Sequence, residues 1–386
     1  MHTHIASLHF SHPLVQKQHP SMQILYLTAL LLFAVTATVN SCLPSELSAL
    51  QAFKSSLREP NVGLFNSWTG TDCCHNWFGV SCDQNTRRVA DINLRAGTLY
   101  TTFEKAHRPG YMTGSISPEI CKLTQISSIT ITDWKGISGE IPTCITSLSF
   151  LRIIDLAGNR FSGNIPTDIG KLLHLNRLSL ADNLFSGGIP SSLISITSLT
   201  HLDIRNNRIS GFIPPGFGKL QNLNQALLSG NQFHGPIPGS ISQINRLSDL
   251  DLSQNQFTGP IPDSLGLMPS LGTLKLDTNK LSGMIPKTLF SSGISDLNLS
   301  HNMLEGNIPD FGSRAYFTSL DISYNNLKGV IPKSIASASY IGYMDLSHNH
   351  LCGPVPNAIN YFDASSFEYN ECLCGKPLNA CKVNNN

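Results

Sequence analysis

The chain has 386 residues, a formal net charge of +1, and only 13% charged residues, against roughly 25% in an average globular protein. So neutral a chain lacks the basic face that direct nucleic-acid binding requires. Its 41% hydrophobic content excludes wholesale disorder.

In chain order, Met1–Ser21 is polar and carries His2, His4, His9, His12 and His19, and Met22 then directly precedes the apolar run Ile24–Val39. That run has the length of a signal-peptide core and is short for a membrane span. Val39 and Ser41 are small enough to precede a cleavage site, leaving Cys42 as the mature N-terminus. Residues 1–41 are therefore expected to be a signal peptide, with 1–21 an extra leader ahead of the true start at Met22. A metal-binding histidine tract is the sharper reading of the leader, but the irregular spacing speaks against it. No later stretch is long and apolar enough for a bilayer, so a secreted product without a membrane span is expected.

Residues 42–88 read as an N-terminal cap. Ser45 is the expected helix cap, Leu50, Phe53 and Leu57 share one face, and the helix stops before Pro60. Cys73, Cys74, Trp77, Phe78, Gly79 and Cys82 follow. Residues 89–122 form an interrupted first coil, with Ile92–Leu94 as strand and Gly114–Ile116 as its later element. The insertion Ala96–Gly110 between them is open to two readings, a binding loop or a cover for the exposed end of the stack.

Residues 123–356 hold ten coils. Asn159, Asn183, Asn207, Asn231, Asn255, Asn279, Asn302, Asn325 and Asn349 recur at spacings of 24 five times, then 23, 23 and 24. A period of this length denotes a solenoid, an α/β stack of similar coils, each unable to bury its leucines alone. In one coil, Leu178 and Leu180 alternate as a short strand facing inward, and neighbouring strands make a parallel sheet. Asn183 follows at a corner where its amide can satisfy backbone groups buried between coils. Gly187 permits a tight turn, and Ile189-Pro190 is expected to be a second short extended piece. Trp134 holds the asparagine slot of the first regular coil. Residues 357–386 read as a C-terminal cap in which Phe362, Phe367, Cys372 and Cys374 seal the stack.

Ten cysteines lie towards the two ends, an even count behind a signal peptide, which reads as disulfides in an oxidising compartment. The pair Cys372 and Cys374 lacks a second pair or a histidine at metal-ligand spacing, so neither a metal nor any other cofactor is expected. No nucleophile elbow, phosphate loop, zinc-protease helix or dinucleotide turn occurs, and the carboxylates recur with the coil instead of converging in a cleft, so no catalytic residue is assigned and no enzyme is expected.

The frame LxxLxxLxLxxNxLSGxIP, the front segment from SELSALQAFKSSL to DCCHNWFGVSC and the tail ECLCGKPL resemble plant-type extracellular leucine-rich-repeat proteins over essentially all of Cys42–Cys381. Polygalacturonase-inhibiting proteins share the repeat number and both caps. The words GYMTGSISPEIC, DWKGISGEIPTCITSL and LRIIDLAGN are similar in detail to the DNA-damage-repair/toleration leucine-rich-repeat family. The resemblance implies a horseshoe with a parallel concave sheet, a second short sheet and disulfide-bonded caps at both ends. It implies the disulfides Cys42–Cys73, Cys74–Cys82, Cys352–Cys372 and Cys374–Cys381. Cys121 and Cys144, 23 residues apart on neighbouring coils, are expected to pair with each other.

Counting from the asparagines locates the concave face. Its candidate binding residues are Trp134, Arg152, Asp155, Arg177, His201, Asp203, Arg205, Asp251, Lys275, Asp321, Tyr324 and Tyr343, with basic groups towards the front and acidic ones towards the back. Asn298-Leu299-Ser300 is the only Asn-x-Ser/Thr sequon, which makes Asn298 the expected glycosylation site, where a glycan would obstruct the inner surface of the later coils. The expected protein is a secreted, monomeric, non-catalytic binding protein of the cell wall or apoplast that recognises a protein or cell-wall partner, with inhibition of a microbial pectin-degrading enzyme as the concrete version. The alternatives are a receptor-associated scaffold, or an indirect role in DNA-damage tolerance without nucleic-acid contact.

Overall fold

The computed structural model describes residues 42–96, 110–313 and 315–381. The expected signal peptide with its leader, residues 97–109 of the insertion and the last five residues of the C-terminal cap lie outside the described residues. No helix among the described residues is long and apolar enough to cross a membrane.

Each coil begins with the strand that the Leu-x-Leu pattern predicts, as in Arg177–Ser179, His201–Asp203 and Gln225–Leu227. These strands pair in parallel with a strict coil-to-coil register, for example Leu178 beside Leu202 beside Ala226. The result is a twelve-stranded sheet from Val80–Cys82 to Tyr340–Asp345, antiparallel only between its first strand and Val89–Arg95. Leu178, Leu180, Leu202 and Ile204 are buried, and their counterparts form one continuous apolar interior. Phenylalanines stack between coils inside it, Phe161 on Phe185 at 6.3 Å and Phe233 on Phe257 at 6.2 Å.

The corner after each strand is held by the asparagines. Asn183 Nδ2 donates to the carbonyls of Leu156, Leu180 and Ala181 at 2.9, 3.2 and 3.0 Å, and its Oδ1 accepts from Phe161 N–H. One side chain thus satisfies four backbone groups on two coils, a task that no apolar residue performs. Trp134 fills the same slot with its indole, whose Nε1 donates to Leu94 O at 2.8 Å across to the preceding coil. Asn159 is the exception among the nine, because its Oδ1 is buried without a hydrogen-bond partner behind the coil that carries Trp134.

The second extended piece lies earlier than the sequence reading placed it. It covers Leu184–Ser186, ahead of Gly187, while Ile189-Pro190 leads into the 3₁₀ turn Ser191–Ser195. Proline is suited to that entry, with φ fixed at −60° and no N–H to satisfy. These second strands form one five-stranded and one eight-stranded sheet, the latter closing on Cys372–Cys374. The glycine of this segment has positive φ in coil after coil, 73° at Gly187 and 78° at Gly235. At Gly235 a Cβ would also collide with the Phe212 ring of the preceding coil, so the position is glycine on two counts.

The front cap is an α-helix over Pro44–Ser55. Ser45 does not cap it: Leu43 holds the cap position and Pro44 opens the first turn, where a missing N–H is harmless. Buried Glu46 instead ties the helix to the array, accepting from Arg88 Nε at 2.7 Å and Val89 N at 3.2 Å. Trp68 and Trp77 stack at 4.9 Å beneath it.

Five disulfides join Cys42 to Cys73, Cys74 to Cys82, Cys121 to Cys144, Cys352 to Cys372 and Cys374 to Cys381. The four front-cap sulfurs lie within 4.8 Å of one another, but as two disulfides they present no thiolate to a metal.

Candidate recognition face

On the outer face of the long sheet, the residues between the two inward apolars stand in one row, with flanking rows on either side. Register alignment places Asp249, Thr273, Asp296, Ser319 and Tyr343 side by side, and Asp251, Lys275, Asn298, Asp321 and Asp345 beside them. A surface built this way is rigid, because each of these strands but the edge strand Tyr340–Asp345 is paired to a neighbour on both sides.

Several predicted face residues are already engaged. Trp134 is fully buried at its corner and takes no part in the face; counting placed it at the asparagine slot, and that slot points inward. Asp155 is also buried, and its carboxylate lies 3.7 Å from both Arg95 and Arg177, so two guanidiniums share one charge. Arg205 forms a bidentate pair with Asp203 at 2.9 and 2.8 Å. Lys275 lies 3.6 Å from Asp296. Arg152 remains exposed, and His201 is half-buried with Nδ1 at 2.8 Å from Thr200 Oγ1. Burial, with Arg177 nearby, lowers the pKa of His201, which favours the neutral ring.

Towards the back the carboxylates crowd. Asp251 and Asp321 each accept from the N–H and hydroxyl of the serine two residues on. Burial raises the pKa of Asp249, Asp277 and Asp321, and neighbouring aspartates push each further the same way. These groups hold protons more tightly in the folded chain than at their ordinary value of 3.8. Their contribution to stability is therefore full below that pH and is lost as pH rises through the raised values. Asp277→Asn should accordingly raise the melting temperature at pH 7 and flatten its decline as pH rises above 3.8, read by calorimetry.

Two features escaped the sequence reading. Asn370 is a tenth ladder member, its Nδ2 donating to Leu346, Phe367 and Glu368 carbonyls and its Oδ1 accepting from Leu351 N–H. It continues the corner into the C-terminal cap, at a spacing shortened by the cap. The second is a stack of rings, His301 on Tyr324 at 4.1 Å, Tyr324 on His348 at 3.8 Å and His348 on Tyr369 at 4.1 Å. All four are the residue just before a ladder asparagine and share φ between 52° and 57°. Tyr324 is therefore a rung in a rigid aromatic edge, and Tyr343, half-exposed, stands free on the sheet beside it.

Comparison with known proteins fits this geometry. A leucine rich repeat N-terminal domain matches residues 43–83, and leucine rich repeats match 150–172, 198–220, 246–268 and 316–338. The DNA damage-repair/toleration protein DRT100 of Arabidopsis thaliana is 54% identical over 135 residues, covering 35% of this chain and 36% of that protein. Polygalacturonase inhibitor 1 of Oryza sativa subsp. japonica is 30% identical over 137 residues, covering 36% and 37%. The matched part thus spans little more than a third of either relative. Among solved structures, the Arabidopsis receptor kinase HAESA, in complex with the peptide hormone IDA and the co-receptor SERK1, aligns with TM-score 0.67 and 27% identity over 84% of this chain and 58% of that one. From its coils, its N-terminal cap and these likenesses, the chain is a leucine-rich-repeat solenoid behind a leucine rich repeat N-terminal domain, similar to plant receptors and polygalacturonase inhibitors.

Proposed function

We propose that the chain is a binding protein of the plant cell wall or apoplast that recognises a protein or cell-wall partner on the face of its long sheet, without catalytic turnover. The observation that carries this reading is the change of sign along that face, from exposed Arg152 and the Arg177 region at the front to Asp249, Asp251 and Asp321 at the back. Such a gradient orients a complementary partner and speeds its approach. Inhibition of a microbial polygalacturonase is the concrete version. Its test is pectin hydrolysis by several purified endopolygalacturonases with the chain added: the rate falls, and Arg152→Glu relieves the inhibition. Unchanged rates with every enzyme would reject that version.

A second reading, a receptor-associated scaffold, is supported by the likeness to a receptor ectodomain whose solved complex contains a peptide and a co-receptor. Direct binding to a co-receptor ectodomain in the absence of any inhibition would favour it. The likeness to a DNA damage-repair/toleration protein supports, at this net charge, only an indirect role in stress tolerance.

A further inference from the structure

We infer that Asn298 carries an N-linked glycan, and that this glycan screens the back half of the recognition face. The inference rests on the extracellular reading above and names a regulation of the same surface.

The geometry of the slot supplies the argument. In several other coils an aspartate at this position accepts from the N–H two residues on: Asp251 takes Ser253, Asp321 takes Ser323 and Asp345 takes Ser347. Asn298 meets the same demand, its Oδ1 accepting from Ser300 N at 3.0 Å and Ser300 Oγ at 2.7 Å. Replacing aspartate by asparagine here keeps the turn and adds one group, the Nδ2. That nitrogen has no protein partner and is not buried. The ladder asparagines differ in this respect, since each spends its Nδ2 on backbone carbonyls, as Asn302 does on Leu276, Leu299 and Ser300.

The chemistry also fits. Leu299 is not proline, and Ser300 supplies the hydroxyl two residues on that the sequon needs. Transfer joins Nδ2 to the anomeric carbon of an N-acetylglucosamine and breaks that carbon's bond to the pyrophosphate of a lipid-linked oligosaccharide donor. Nδ2 loses one proton, and Oδ1 is untouched. The modified side chain therefore retains both bonds to Ser300, and the coil closes around it unchanged.

The site has room for a sugar. Asn298 stands between Lys275 and Asp321, with Thr273, Asp296 and Ser319 in the adjoining row. The first large side chain in that row is Tyr343, two strands away, about 10 Å at the usual strand spacing. An oligosaccharide rooted at Asn298 covers that distance, so it lies over Asp321 and Tyr343 and leaves Arg152 and Arg177, five or more strands forward, uncovered.

The experiment secretes the full chain and its Asn298→Asp variant from a eukaryotic cell. An amidase that cleaves the glycan from asparagine converts an occupied Asn298 to aspartate, which mass spectrometry of the peptide Thr288–Arg314 detects. Hydroxyl-radical footprinting then compares Tyr343 in the two proteins. The expected result is conversion at Asn298 and a loss of Tyr343 labelling in the wild type relative to Asn298→Asp, with Tyr111 at the front labelled equally. The variant retains the acceptor that Ser300 needs, and circular dichroism checks that it folds. A secreted, disulfide-bonded chain with bare Asn298 overturns the inference and leaves the recognition face standing. Occupancy with equal labelling of Tyr343 overturns the screening. A chain that stays inside with reduced cysteines overturns both this inference and the extracellular reading.

Discussion

Asn255→Leu should destabilise the array by about 4 kcal/mol, combining about 1–3 kcal/mol for one buried N–H left unpaired with about 1 kcal/mol for each of three further hydrogen bonds lost. The side chain is buried and bonds the carbonyls of Leu228, Leu252 and Ser253 at 3.1, 3.2 and 2.9 Å while accepting from Phe233 N–H at 3.0 Å. Leucine has similar bulk and removes all four bonds. The three carbonyls keep a second donor, Asn231 Nδ2 on Leu228, Asn279 Nδ2 on Leu252 and Gly230 N–H on Ser253, but Phe233 N–H is orphaned between coils, where water reaches it only if the coils part. Urea unfolding reads the loss, and hydrogen exchange should show lost protection in the coils on either side, as expected where each repeat leans on its neighbours. A change below about 1 kcal/mol, the net worth of one ordinary hydrogen bond, would show that the ladder does not hold the corners together.

Arg88→Met should loosen the front cap by about 3 kcal/mol, the order of loss when one partner of a buried ion pair is removed. Glu46 is fully buried, and without Arg88 it keeps a single donor, Val89 N–H at 3.2 Å. Exchange should rise in the helix Pro44–Ser55 and in the strand Val89–Arg95, leaving the rear coils unaffected. Arg88→Met combined with Glu46→Leu should recover most of the stability, since the uncompensated charge is then gone. Failure of the double variant to recover would mean that the pair fixes the docking of the helix as well as its charge balance.

The sequence by itself determined the coil. Asparagines spaced by 23 or 24 residues, leucines alternating before them and a glycine after them leave one arrangement that buries the leucines and satisfies the corners. That is local physics repeated, and the strand at Arg177–Ser179 and the turn at Gly187 follow from it. The ends and the face depend on neighbours far apart in sequence. Ser45 has the chemistry of a helix cap, yet Glu46 reaching Arg88 and Val89 fixes where the helix starts and docks. Trp134 has the chemistry of a binding anchor, yet its slot turns the indole inward to Leu94 O.

On the recognition face the repeat supplies addresses, and the third dimension decides which residues remain available. Arg177 and Arg95 meet over Asp155 because strands from different coils stand side by side, and Arg205 folds back on Asp203. The ring stack from His301 to Tyr369 occupies residues 21 to 24 apart in sequence, harmless singly and continuous only when stacked. Periodicity dictates where each backbone position lies. Pairing between side chains on adjacent coils, which a linear pattern does not encode, decides which of those positions can bind.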